Sequence, residues 1–245
     1  ISGDRGIGKT TLARHVYNLL SSESGESRVN VNGSVQCLWH SCSLSSSRKH
    51  FQYDDLLHAV LRQIDESQAP PLDNRKRLEP QFRDHVDRKK KDGVSLVIFL
   101  DEVDLLELGT VLEFISFISS CGVAILMCCT PEKASEVRSN LIQSRQANVQ
   151  FLGLSGLTRE DVNQLFDLAE ARWSLVVKNP RLRFDKKARS RIADFTHGIP
   201  RLMLSMAIQV TDAKRSQKPT KKKELVITGW DVEQASQHSE IGDSK

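Results

Sequence analysis

The sequence contains no apolar run long enough to cross a bilayer, which excludes a helical membrane span. Aromatic residues are scarce, at 6%, and none is interleaved with the basic clusters Lys89–Lys91, Lys214-Arg215 and Lys221–Lys223. A stacking platform for single-stranded nucleic acid is therefore unsupported, and the clusters read first as solvated faces that could touch DNA phosphates. The five cysteines, Cys37, Cys42, Cys121, Cys128 and Cys129, are odd in number and show no C-x-x-C spacing. This argues against a disulfide framework and a zinc ribbon and leads to the expectation of a reducing, intracellular compartment, cytoplasmic or nuclear. Seven histidines are scattered without H-E-x-x-H or Cys/His clustering, so none reads as a metal ligand. Strong charge of either sign is also missing: the formal net charge of +4 permits an acidic partner without arguing for one. There is no internal repeat, and no signal or transit segment is visible.

What is present is 245 residues with 39% hydrophobic and 27% charged content, enough for one large domain or a domain with a smaller companion. Leu12, Val16, Leu19 and Leu20 share one helical face after an opening loop, and the Ser/Gly-rich stretch 21–33 breaks the pattern. A strand is expected over 34–39, and a helix over 51–64 with Leu56, Leu57, Val60, Leu61 and Ile64 on one face. After Pro70-Pro71 a polar helix carrying Phe82 and Val86 is expected to run to the lysine cluster, with a turn at Asp92-Gly93. Val94 to Leu100 is apolar on both faces and rich in β-branched residues, the pattern of a buried parallel strand. A helix over 111–120 and a second apolar run over 123–129 follow, then a short strand over 149–152. Alternating strands and helices of this kind predict a doubly wound α/β parallel sheet. Beyond Leu157 only helices are legible, over 159–170, 186–196, 199–213 and 230–237, with 214–223 as an exposed basic loop. The expected organisation is an α/β domain over 1–156, a small all-helical domain over 157–238 and a polar tail over 239–245. Trp39, Trp173 and Trp230 read as packing anchors.

Two motifs carry chemistry. Gly3-Asp4-Arg5-Gly6-Ile7-Gly8-Lys9-Thr10, followed by Thr11, fits G-x-x-x-x-G-K-[ST] at every fixed position and opens an amphipathic helix. Glycines let successive backbone N–H groups turn toward phosphate oxygens. Lys9 neutralises β/γ-phosphate charge, and the Thr10 hydroxyl can ligate Mg²⁺. The strand ending at Leu100 delivers Asp101 and Glu102 to the sheet's C-terminal edge, where ligands of open α/β sheets bind. Asp101 can hold Mg²⁺ through water, and Glu102 can polarise an attacking water.

These motifs resemble the Walker A and Walker B elements of the AAA+ and STAND superfamilies of P-loop ATPases. The resemblance extends over nearly the whole chain and implies ATP or ADP with Mg²⁺, hydrolysis of ATP, and assembly as a homo-oligomer. It implies a sensor 1 role for Thr130, which could equally just end its strand before Pro131. It implies an arginine finger at Arg145 or Arg138, Arg145 matching the usual position better. His197-Gly198-Ile199-Pro200-Arg201 resembles the start of the sensor 2 helix of a lid, with Arg201 pointing at the γ-phosphate.

Within the superfamily, the lid-like segment ending in Ile227-Thr228-Gly229-Trp230-Asp231 is similar to DNA-associated AAA+ ATPases of transposition and replication-initiator type. That likeness implies double-stranded DNA and partner proteins as further ligands. The run Gly6 to Ala13 with Val16-Tyr17-Asn18 instead resembles the NB-ARC phosphate loop and implies a nucleotide-gated signalling or defence ATPase. Glu102 where NB-ARC modules usually have Asp, and Arg201 where they usually have Leu, depart from it. Ile1-Ser2-Gly3 reads as a strand end entering a loop, so the expectation is that the natural chain starts further upstream.

Overall fold

The computed structural model describes residues 1–21, 34–44, 52–64, 75–143, 149–176, 181–217 and 224–237. By contacts the chain divides into two compact units, one of residues 1–3 with 9–154 and the other of residues 4–8 with 155–245.

The first unit is built on three parallel strands in the order β1 (Ser34–Ser41), β2 (Val94–Asp101), β3 (Ala124–Met127). The register sets Ser41 opposite Asp101 and Leu100 opposite Met127. Successive side chains of a strand point to opposite faces. On one face Leu96, Ile98 and Leu100 join the larger core, and on the other Phe99 packs with Ala13 and Cys128. The first face is covered by α2 (Tyr53–Ile64), α3 (Arg75–Lys91), α4 (Leu108–Ser120) and α5 (Pro131–Gln143), the second by α1 (Lys9–Ser21). Burial on both faces is why β2 reads as an uninterrupted apolar run rather than an alternating one. α3 is polar overall, and Leu78, Phe82 and Val86, one helical turn apart, are its buried attachment. Each such side chain contributes about 1.5–3 kcal/mol on burial. Trp39 stacks on Phe99 with ring centroids 5.8 Å apart and meets Tyr17 edge-on, as a packing anchor should.

α5 is a helix that the sequence reading did not foresee. Its signals are local: Pro131 occupies the first helical position, and the Thr130 hydroxyl accepts the Lys133 N–H at 3.4 Å. Ala134, Val137 and Leu141 then bury one face. Conversely, 149–152 is not a strand. Just beyond it Gly153 forms an isolated parallel bridge with Ser2, whose N–H donates to Leu152 O at 2.8 Å while the Leu154 N–H donates to Ser2 O at 2.7 Å. One residue of pairing makes a bridge, and Phe151 and Leu152 remain exposed.

The second unit packs α6 (Arg159–Val176), α7 (Lys186–Thr196), α8 (Pro200–Gln217) and α9 (Gly229–Gln237) around Phe166, Phe184, Ile192, Met203, Val210 and Ile227. It is not all-helical, which corrects the sequence expectation. β4 (Arg181–Phe184) and β5 (Glu224–Ile227) form a parallel pair. Four-residue strands with exposed Arg181 and Arg183 give too little alternation to register as a period, and each finds its partner far along the chain. α8 also runs to Gln217, into the stretch expected to be loop, while 218–223 and the tail lie outside the described residues. Trp230, expected as an anchor, is 60% exposed.

Arg189 ties this unit together by donating to Asp167 at 2.7 Å, Glu170 at 2.9 Å and the Phe184 carbonyl at 3.2 Å. The turn between α7 and α8 is equally constrained. Gly198 has φ +69°, and its carbonyl accepts the Leu157 N–H at 2.8 Å. A Cβ added there would lie 2.6 Å from Leu157 O. Gly198→Ala therefore combines left-handed strain with a backbone collision, and we expect a loss of about 2–4 kcal/mol, read as a lowered thermal midpoint. An unchanged midpoint would contradict the packing described for this turn.

Candidate functional site

Within the first unit, the apolar strand β2 carries Asp101, 6% exposed, to its C-terminal end, and α1 begins at Lys9. Residues 91 positions apart meet there: Thr10 Oγ1 donates to Asp101 Oδ1 at 3.1 Å. The Lys9 ammonium donates to Gly3 O at 2.5 Å, which draws the lysine back over the start of the loop. Asp101 Oδ1 also accepts the Glu102 N–H at 3.1 Å.

Glu102 has φ 58° and ψ 42°, a left-handed conformation that costs a non-glycine residue about 1–2 kcal/mol. Such strain persists only where neighbours over-determine it. Three contacts do so: the bond to Asp101, the Leu105 N–H to Glu102 O at 3.1 Å, and Ser41 Oγ donating to Glu102 Oε2 at 3.0 Å. Ser41 escaped the sequence reading, which took the strand only to Trp39. The signal available was register: a strand two residues longer puts Ser41 opposite Asp101.

The carboxylates make this sheet edge electronegative. Burial, and then the charges of Asp101, Glu102 and Asp104, push the Cys42 thiol up to about 12. Burial and Asp101 do the same to Cys128, also to about 12, while its Sγ lies 3.7 Å from Lys9 O. Both thiols stay protonated near neutrality and are unsuited to nucleophilic work.

Thr130 follows β3, with its N–H donating to Asp104 Oδ1 at 2.6 Å and its hydroxyl engaged at the start of α5. The hydroxyl thus takes part in starting α5, and Thr130 is half-buried. Arg138 lies over the Phe151 ring, 5.5 Å from its centroid. Arg145 lies outside the described residues.

Within the second unit, Ile7 N–H donates to Asp4 O at 3.3 Å, forming the turn of the loop. Arg201 N–H reaches Gly6 O at 3.4 Å, and a Cβ on Gly6 would lie 2.7 Å from Arg201 Cβ. With φ +83°, Gly6 is thus required on both steric and conformational grounds. Pro200 opens α8 at a position where its missing N–H costs nothing, and Arg201 is exposed.

Two of the three basic clusters include side chains with internal partners. Lys90 caps the end of α4 by donating to Cys121 O at 2.7 Å. Lys214 pairs with Asp231, and Arg215 lies 5.6 Å from the Trp173 centroid. Burial acts the other way on Asp231, yet the bonds from Lys214 and Thr228 hold its carboxyl below the usual range. Lys221–Lys223 lie outside the described residues.

Hydroxyl and carboxylate oxygens are the donors that Mg²⁺ prefers, and this ion is ordinarily held by one or two protein oxygens together with water and phosphate. Thr10 and Asp101 suit that chemistry. Among the described residues no group of three or more His, Cys, Asp or Glu could hold a metal by itself, and no helix is long and apolar enough to cross a membrane.

Residues 1–137 match the family model described as AAA domain. No curated protein sequence matches the chain. Among solved structures it is similar to the ORC2 protein of Aeropyrum pernix in ADPNP–ADP complexes, at 14% identity and a TM-score of 0.57 over 97% of this chain and 60% of that one. It is also similar to the ORC1 protein of Aeropyrum pernix in complex with DNA, at 18% identity and a TM-score of 0.59, covering 96% of this chain and 58% of that one. Cdc6p from Pyrobaculum aerophilum follows at 13% identity and a TM-score of 0.52, covering 88% and 55%. The chain thus spans about three fifths of the length of these proteins and shares their fold. With more than half of its residues matched by the family model, the chain belongs to the AAA domain family of P-loop AAA+ ATPases.

Proposed function

We propose that this chain binds ATP and ADP with Mg²⁺ and hydrolyses ATP as a conformational and assembly switch. In this reading it works as a homo-oligomer on double-stranded DNA and recruits or regulates partner proteins, as replication-initiator or transposition-type ATPases do. The observation that carries the proposal is the 3.1 Å contact of Thr10 with Asp101 at the end of a buried parallel strand, beside Lys9 at the start of α1. The fold shared with ORC and Cdc6 proteins supports the replication-initiator side, one of those proteins having been solved with ADP and ADPNP and another with DNA.

When bound, Mg·ATP supplies an electrophilic γ-phosphoryl group and a divalent charge that neutralises its oxygens. The residues divide the remaining work. Backbone N–H groups from Asp4, Arg5, Gly6, Gly8 and Thr11 cradle phosphate oxygens, helped by the positive end of α1, while Gly3 and Ile7 shape the loop through their own bonds to Cys129 O and Asp4 O. Lys9 exchanges its bond to Gly3 O for phosphate oxygens, and Thr10 and Asp101 hold the metal. Glu102 accepts a proton from the attacking water. Thr130 senses the γ-phosphate from its place just before α5. Pro200 fixes the first turn of α8, from which Arg201 reads the nucleotide. Arg145 acts as the arginine finger toward a neighbouring subunit; Arg138, engaged with Phe151, suits that task less well.

The run Gly6 to Ala13 followed by Val16-Tyr17-Asn18 favours a second reading, an NB-ARC-like signalling switch. DNA separates the two. On the first reading, duplex DNA at low salt raises the steady-state ATPase rate, and added salt removes the stimulation because each phosphate contact releases counterions. A slow rate indifferent to DNA supports the signalling switch instead.

The chemistry is tested by substitution. Lys9→Ala should weaken ATP binding about 30-fold or more in a titration, the loss of a charge-assisted contact of ~2 kcal/mol or above, and unchanged affinity would refute the phosphate-loop assignment. Glu102→Gln should keep ATP affinity within about twofold while turnover falls about 100-fold or more, and normal turnover would remove Glu102 as the base.

A further inference from the structure

Asp104 stands outside both sequence motifs, and its place follows from how β2 and β3 end. In a parallel pair the ladder bonds are evenly spaced, each strand contributing every second residue. Leu100 is registered with Met127, and the Cys128 N–H donates to Leu100 O at 2.9 Å. Two residues further on, the same pattern would take the Thr130 N–H to Glu102 O. Here the Thr130 N–H goes elsewhere. Glu102 has turned into the left-handed region, and its carbonyl accepts the Leu105 N–H at 3.1 Å. Cys128 O receives the Val103 N–H at 3.1 Å, where the ladder would offer that of Glu102. Glu102 has left the ladder, and its departure removes the acceptor due to Thr130. Asp104 supplies a substitute: its Oδ1 accepts the Thr130 N–H at 2.6 Å.

We propose that Asp104 is a positioning residue whose carboxylate replaces the Glu102 carbonyl at the end of the ladder, so that Glu102 can project from the sheet edge as a base while Thr130 keeps its backbone bond. The proposal rests on the assignment of Glu102 as the base. The acceptor is needed, because Thr130 is half-buried and an N–H withdrawn from water without a partner is costly. A bond to an ionised carboxylate is also stronger than one to a neutral carbonyl, so the exchange favours the conformation in which Glu102 stands out of the sheet and offsets its left-handed strain. Asp104 is itself held. It lies in the 3-10 turn Val103–Leu105, which is closed by the Leu106 N–H donating to Val103 O at 3.0 Å and anchored by the buried Val103. Without the carboxylate, the Thr130 N–H would compete for Glu102 O and draw Glu102 back toward extended backbone, turning its side chain away from the position a general base must occupy. The same charge also faces the positive end of α5, a plain stability contribution that the test has to separate. Asp104 has no assigned contact with nucleotide and acts through Glu102.

The test uses the full chain and compares Asp104→Ala, Asp104→Asn and Asp104→Glu in steady-state ATP hydrolysis, with ATP affinity and thermal midpoints measured separately. Asparagine keeps an acceptor oxygen in the same place without the charge. Glutamate keeps the charge but carries its oxygens one methylene further out. The proposal predicts that Asp104→Ala lowers kcat about tenfold or more, the effect of losing a hydrogen bond to a charged group, while ATP affinity stays within about twofold. Asp104→Asn should keep kcat within about threefold of the parent, and Asp104→Glu should lose nearly as much as Asp104→Ala despite a parent-like midpoint. In the Glu102→Gln background Asp104→Ala should have no further effect on turnover, because its influence passes through Glu102. Unchanged kcat in Asp104→Ala, or full additivity with Glu102→Gln, would overturn the proposal. So would the reverse order, in which Asp104→Glu matches the parent and Asp104→Asn falls with Asp104→Ala, since charge at the start of α5 rather than a placed acceptor would then be the acting feature. If Asp104→Ala does not fold, the comparison of the asparagine and glutamate variants decides by itself. Failure of the underlying assignment looks different: Glu102→Gln would then turn over normally, whatever the Asp104 variants do.

Discussion

The contact between the Thr10 hydroxyl and the Asp101 carboxylate is the interaction on which the rest of the candidate site depends. It joins the first turn of a helix to the last residue of a strand buried on both faces. Neither partner could be held there by local structure alone. Asp101 is nearly buried, and a buried carboxylate needs hydrogen-bond donors. It finds two, the Thr10 hydroxyl and the Glu102 N–H. The second of these bonds helps to hold Glu102 in its left-handed conformation, so strain at one residue and satisfaction of the next arise from the same geometry.

That geometry rests on apolar packing. β2 can present a carboxylate at its end because Leu96, Ile98 and Leu100 are buried against α2–α5 while Phe99 is buried against α1. A core of this kind is close-packed and transmits displacement, so the strand end is a rigid mount. The electrostatic consequence is a sheet edge whose carboxylates, together with burial, raise the neighbouring thiols. In the second unit, rigidity comes from a different source. Arg189 bridges α6 and β4, and Gly198 allows backbone to approach backbone where any side chain would collide.

Much of this was legible in the sequence, and the gaps have physical causes. The run Val94 to Leu100 announced β2 because burial on both faces leaves no polar alternation, and the loop Gly3 to Thr10 announced itself because few residue patterns allow such a turn. The period of 3.6 located α2 and α7 closely. What the periodicity missed were elements whose definition is non-local or short. β4 and β5 are four residues each and exist only as a pair. The stretch 149–152 has strand composition, but the only bridge beside it among the described residues is the one-residue pairing of Gly153 with Ser2. α5 was hidden because its apolar stripe is thin, although Thr130-Pro131 carried a cap and a first-turn proline. Ser41 was missed for a related reason: strand ends are fixed by register with a partner, which one segment's composition does not contain. Trp230 shows the converse error, since an isolated tryptophan was taken as buried on chemistry alone.

The central claim is that Thr10 and Asp101 together hold a divalent cation beside the phosphates of a nucleotide. The most direct measurement is calorimetric titration of ATP into the protein and into its Asp101→Asn variant, each with Mg²⁺ and with chelator. The account predicts that Mg²⁺ strengthens ATP binding in the parent chain, that this strengthening is lost in the variant, and that affinity under chelator is similar in both. An equal Mg²⁺ effect in the two proteins would contradict it.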